Sequence, residues 1–201
     1  MCKLYFAIIF IIFPISLFSQ KFEGGFFGGL SASQIDGDAY SGYNKVGITA
    51  GAYFTREINR NLNWKTELRF IQKGAYKKNT ENDPTLFKTT LQYVEVPIIL
   101  QYFYNKKVFL EAGIIPEILL SNKEETENGV TPFNEISHPF NRFVIEGTAG
   151  VGYFLTNHIA AGFRYSYSLL PISDFALGTL YRAKRGSDNN VLSFTLYYHF
   201  N

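Results

Sequence analysis

Between Val191 and Asn201, Leu192, Phe194, Leu196, Tyr198 and Phe200 take every second place, with Ser193, Thr195, Tyr197 and His199 between them. A period of two marks a strand with one apolar face. The stretch FVIEGTAGVGYFL repeats it, with Phe143, Ile145, Ala149, Val151, Tyr153 and Leu155 on one face and Arg142, Glu146 and Thr148 on the other. In the next segment Ile159, Ala161, Phe163, Tyr165, Tyr167 and Leu169 oppose His158, Gly162, Arg164, Ser166 and Ser168. The same pattern predicts eight strands, near 22–34, 45–57, 62–77, 88–104, 107–121, 141–155, 158–171 and 190–200.

The links between these strands fall into two classes. The second, fourth and sixth are short, around Asn59 to Asn61, Asn105 to Lys106 and Thr156 to Asn157, and the other four are long. Short and long connections therefore gather at opposite ends of the sheet, as in an up-and-down transmembrane barrel with short periplasmic turns and long outer loops. The expected fold is all-β: an eight-stranded antiparallel up-and-down transmembrane β-barrel.

Parity refines the turns. The apolar set is even-numbered on both sides of Asn105 (Tyr102, Val108) and odd-numbered on both sides of Asn157 (Leu155, Ile159). Paired residues of a hairpin point the same way, so each turn holds an odd number of residues, most simply three. Pro97 and Pro116 each remove a ladder donor. They are read as a local bulge, with a broken strand as the alternative.

Which face meets lipid follows from composition. The polar face mixes Lys65, Glu67, Arg69, Glu95, Glu111, Glu117, Glu146 and Arg164 with Gly113, Gly150, Gly152 and Gly162. Glycines among charges suit a crowded interior, where acids meet bases, and these eight charged residues are assigned to a structural polar network inside the barrel. Such an interior would not conduct. Trp64, Tyr102, Tyr153, Tyr165, Tyr167 and Tyr198 stand on the apolar face, several near strand ends, like the aromatic girdles of a membrane barrel.

The chain opens MCKLYFAIIFIIFPISLFSQ: one Lys, then an apolar run from Leu4 to Phe18. This is the layout of a signal peptide over 1–19, preferred to a retained anchor because the run is short of the roughly 20 residues a spanning helix needs and Pro14 interrupts it. Residues 20–201 then form one barrel domain. Cleavage removes Cys2, the only cysteine, and with it any internal disulfide. It takes Lys3 from 19 basic residues and leaves all 17 acidic ones, so the balance is near neutral and gives no reason to expect nucleic acid.

Catalytic and metal chemistry finds little support. His138, His158 and His199 have no ligand spacing, so neither a metal nor a cofactor is expected. Glu124, Glu125 and Glu127 of NKEETENG lack the alternating ligands and turn glycine of a calcium loop. The serines of FRYSYS share a face with Arg164 and no histidine alternates with them, which leaves no Ser–His pair. Lys77, Lys78, Arg182, Lys184 and Arg185 make the third and seventh links basic while the fifth is acidic.

YVEVPIILQYF resembles a stretch of the PorT-like outer-membrane β-barrel proteins. In the same order as in that family come a signal peptide ending in Ser-Gln, the Gly-rich FEGGFFGGLSAS, GITAGAYF, VFLEAGIIP and an aromatic last strand. The resemblance covers essentially the whole mature chain. It implies an eight-stranded barrel in a Gram-negative outer membrane and assigns no residue a role. The terminal Leu196, Tyr198 and Phe200 also resemble the C-terminal signature by which the barrel-assembly machinery recognises its substrates.

The leading reading is a non-enzymatic outer-membrane barrel in contact with lipid, acting through its outer loops or through envelope or extracellular protein partners. The alternatives are a secreted soluble eight-stranded barrel binding a small apolar ligand, and an outer-membrane lipid-modifying enzyme.

Overall fold

The computed structural model of the protein describes residues 22–37, 42–77, 87–126, 129–131, 140–173 and 186–200. The proposed signal segment, His138 and most of the long-loop residues, including Lys78, Glu127, Arg182, Lys184 and Arg185, lie outside the described residues. The strands are β1 (Phe22–Asp36), β2 (Lys45–Asn59), β3 (Leu62–Lys77), β4 (Phe87–Glu95), β5 (Ile98–Phe103), β6 (Val108–Thr126), β7 (Gly129–Thr131), β8 (Phe143–Phe154), β9 (Ile159–Ser168) and β10 (Asp188–His199). All pairings are antiparallel. β3 pairs with β2, β4 and β5, β6 pairs with β4, β5, β7 and β8, and β10 returns to β1 in the register Phe26↔Tyr198, Leu30↔Phe194, which closes the ring.

β4 and β5 are two parts of one staircase position, and β7 only extends the edge of β6. Eight positions therefore surround the axis. Across the gap between β4 and β5 the register does not slip, since Arg69↔Glu95 and Thr66↔Ile98 keep the same step along β3. The prolines thus insert no residue, contrary to the expected bulge. The carbonyls of Pro97 and Pro116 still accept from the Glu67 and Val96 amides at 3.2 and 2.9 Å, so the ladder loses donors but keeps its spacing. The bulge in this region lies higher, between Gln92 and Tyr93 and their partners Ser121 and Leu119.

The short turns gather at one end with Phe22 and Phe200. The Tyr104 amide donates to Val108 O at 3.0 Å and the Leu155 amide to Ile159 O at 2.9 Å, so residues 105–107 and 156–158 form three-residue turns. At the third short turn Asn59 pairs with Leu62 across Arg60 and Asn61, after a register shift at Glu57/Asn59.

The wall sorts its side chains by parity. Even-numbered Leu30, Ile48, Leu68, Leu110 and Phe194 and odd-numbered Val151 and Phe163 point outward and are each at least 44% exposed. A soluble barrel hides such residues; here they form a continuous apolar belt, with Trp64, Tyr102, Tyr153 and Tyr198 toward the short-turn end. The interior is layered. An aromatic layer of Phe27, Tyr53, Phe109 and Tyr197 lies toward the short turns and an aliphatic layer with Ile71, Leu91, Leu119 and Val144 toward the long loops. Between them runs a band of charge. Gly152 makes room for the lower layer, because a Cβ there would lie 2.0 Å from the Phe109 ring.

Candidate functional site in the barrel interior

β3 supplies most of the interior charge. Lys65, Glu67, Arg69 and Lys73 occupy its inward, odd-numbered face, with Ile71 among them. Other strands answer with Glu95 from β4, Glu111 and Glu117 from β6, Glu146 from β8 and Arg164 from β9. All nine charged side chains are buried. An ion removed from water is tolerated only when paired and hydrogen-bonded, so position on the inward face dictates a network.

The lower part of the network centres on Arg164. Its guanidinium forks onto Glu67, with Nη1 donating to Oε2 at 3.1 Å and Nη2 to Oε1 at 2.9 Å, and Nη2 also reaches Glu111 Oε2 at 2.8 Å. Such bidentate, charge-assisted bonds are the strong ones. Lys65 Nζ lies 3.0 Å from Glu67 and 3.1 Å from Glu111, and 3.8 Å from the centre of the Tyr197 ring. Gln101 Nε2 completes the shell of Glu111 at 2.8 Å. Arg69 carries the chain upward, 2.9 Å from Glu67 and 3.7 Å from Glu95.

The upper part centres on Lys73. Its ammonium lies 2.7 Å from Glu95, 2.6 Å from Glu117 and 2.8 Å from Glu146. Carboxylate oxygens of these three residues lie within 4.8 Å of one another, a spacing that a hard cation could use. The position among them is taken by the Lys73 nitrogen, so a side chain serves as their counter-ion.

The structure thus brings Lys65, Glu67, Arg69, Glu95, Glu111, Glu117, Glu146 and Arg164 into one chain of contacts. Lys73 is the member the sequence reading missed. Parity would have found it, since it lies two places beyond Ile71 on the same face. Leu196, Tyr198 and Phe200 point outward, and Phe200 packs edge-on against Phe26 at 5.1 Å while its amide donates to Gly24 O at 2.8 Å.

No nucleophile–base pair forms among the described residues singled out for catalysis. Ser166 Oγ donates to Thr148 Oγ1 at 3.0 Å, and Ser168 Oγ accepts from the Asn189 amide at 2.9 Å. His199 Nδ1 pairs with the Tyr53 hydroxyl at 2.5 Å, and His158 lies in a short turn. At the long-loop rim, above the apolar belt, Lys88 and Lys123 hydrogen-bond Glu125 and hold its carboxyl below the usual range.

The family model described as outer membrane protein beta-barrel domain matches residues 18–174, more than half of the chain. Among solved structures, the chain is similar to Ail, the attachment invasion locus protein of Yersinia pestis, in complex with the heparin analogue sucrose octasulfate. The identity is 13% and the TM-score 0.54, over 90% of this chain and 99% of that one. A second structure of Ail gives 16% identity and a TM-score of 0.52, over 89% of this chain and 98% of that one. Neisserial surface protein A gives 13% and 0.45, over 89% and 97%. For the two Ail structures the likeness, at these identities, is one of fold. No curated protein matches the sequence.

Proposed function

We propose, for a chain that belongs to the outer-membrane β-barrel domain family, a non-enzymatic barrel of the PorT-like kind whose activity resides in its outer loops and their protein contacts. The observation that carries this reading is the filled interior. The buried ion chain from Glu111 to Glu146, capped by an apolar layer on either side, leaves transport little room, and the inward serines and histidine are engaged in structural bonds. An eight-stranded barrel has an interior just wide enough for side chains. What is left to act is the long-loop end, where basic third and seventh links and an acidic fifth link offer charges to an envelope or extracellular protein.

Two processing steps belong to the same proposal: removal of residues 1–19 as a signal peptide, and recognition of Leu196, Tyr198 and Phe200 by the barrel-assembly machinery. The test joins two measurements. Purified protein in planar bilayers should give no stable single-channel steps. Replacing residues 78–86 and 174–185 by short turns should leave a folded, heat-modifiable barrel that has lost its loop-dependent cross-links in intact cells. Channel steps, or cross-links that survive both replacements, would overturn the reading.

A further inference from the structure

We propose that the short-turn mouth of the barrel is a socket for a neutral saccharide of one or two pyranose rings. A cavity of about 540 Å³ opens there, walled by residues of β1, β2, β3, β5, β6, β8 and β10. That volume falls within the range of small-ligand pockets, about 300 to 1,000 Å³. Lys106 and Asn157 of the short turns join the lining but no described long-loop residue does, so this site is separate from the loop function proposed above.

The chemistry of the lining selects the ligand. On one side Phe103, Phe109 and Phe154 stand with ring centres 5.5 to 6.3 Å apart; on the other Tyr53 and Tyr197 meet edge to face at 5.6 Å. Phe109, Tyr53 and Tyr197 form the buried floor, and the half-buried Phe103 and Phe154 offer the apolar surface that a flat-sided molecule would meet. Thr55, Asn63 and Gln101 interrupt them with hydroxyl and amide groups, and His199 Nε2 is buried there without a hydrogen-bond partner among the described residues. Thr55 Oγ1 donates to Glu23 O at 3.4 Å and Gln101 Nε2 to Glu111, but an acyl chain would still leave His199 Nε2 without a partner and offer nothing to the Asn63 amide.

Charge narrows the class further. Lys65 at the inner end is neutralised by Glu67 and Glu111, and Glu23 and Lys106 in the lining carry opposite charges. A charged ligand finds no net counter-charge. A pyranose, with C–H faces and a belt of hydroxyls, matches apolar walls broken by scattered polar groups.

The test is NMR of isotope-labelled, refolded full-length protein in lipid nanodiscs. Titration with lactose, a neutral disaccharide, should give saturable shifts at Thr55, Asn63, Gln101 and His199, with weaker responses to glucuronate, glucosamine and adenine. Asn63→Ala and Thr55→Val should each remain heat-modifiable and weaken lactose binding about fivefold, the loss of one hydrogen bond. Absence of saturable shifts, a stronger response to a charged sugar or to adenine, or unchanged affinity in both folded variants would overturn the proposal.

Discussion

Around Arg164 three cations, Lys65, Arg69 and Arg164, share two carboxylates, Glu67 and Glu111; around Lys73 a single ammonium serves three, Glu95, Glu117 and Glu146, with Arg69 reaching only Glu95. Both groups are buried in the same barrel a few residues apart. The lower one is redundant, because each acid keeps a partner if any one base is lost. The upper one has a single hub. The side chains match these roles: a guanidinium fork fits one carboxylate in two places, whereas a compact ammonium can be reached from three directions. The network as a whole holds one carboxylate more than it holds cations.

The largest expected effect is at the hub. Lys73→Met would leave Glu117 and Glu146 facing each other with no base, and should cost about 3 to 5 kcal/mol in urea unfolding from lipid vesicles. Arg164→Met should cost less, since Lys65 still contacts both Glu67 and Glu111. Equal losses would end the contrast between the halves.

A charge placed on the other side of the wall comes next. Phe163 neighbours Arg164 but points outward, 48% exposed. Phe163→Arg should cost roughly 2 to 4 kcal/mol if that face lies in hydrocarbon, measured in the same vesicles. A harmless substitution would mean that water already reaches the outer face.

Neutralising an acid should do little. Glu117→Gln evens the count of acids and bases in the network as a whole and should shift stability by about 1 kcal/mol or less, toward stabilisation. A large loss would show that all three carboxylates are needed to hold the ammonium. Smallest of all is the rim pair of Lys88 and Glu125, at 2.9 Å with side chains 35% and 27% exposed. Lys88→Met should cost about 0.5 kcal/mol or less. The depressed Glu125 carboxyl contributes its stabilisation above the ordinary carboxylate range and loses it as pH falls through its own lower value, so any cost of Lys88→Met should vanish in acid.

The wall was more legible in the sequence than its contents. Alternation and parity are local, and they located the eight strand positions, the inward and outward faces and the three-residue turns at Asn105 and Asn157. Lys73 escaped because Gln72 and Gly74 flank it, which erases the apolar half of the pattern there. The shift between Gln92 and Tyr93 could not be read, since a bulge is defined against the partner strand. Nor could the pairings of the ion chain. Glu67 and Arg164 are 97 residues apart and meet only because the closed ring sets their heights. The prolines suggested an inserted residue, but loss of a donor alone need not change register.

A membrane barrel requires its outer face to lie in lipid, and the natural chain carries its own probe. Trp64 is the only tryptophan; it points outward near the short-turn end, 41% exposed, with Nε1 donating to Thr66 Oγ1 at 2.9 Å. In vesicles containing lipids brominated near the headgroup, its fluorescence should be strongly quenched, and aqueous iodide should have little effect. Strong quenching by iodide with none by the brominated lipid would place the apolar belt in water and contradict the membrane barrel.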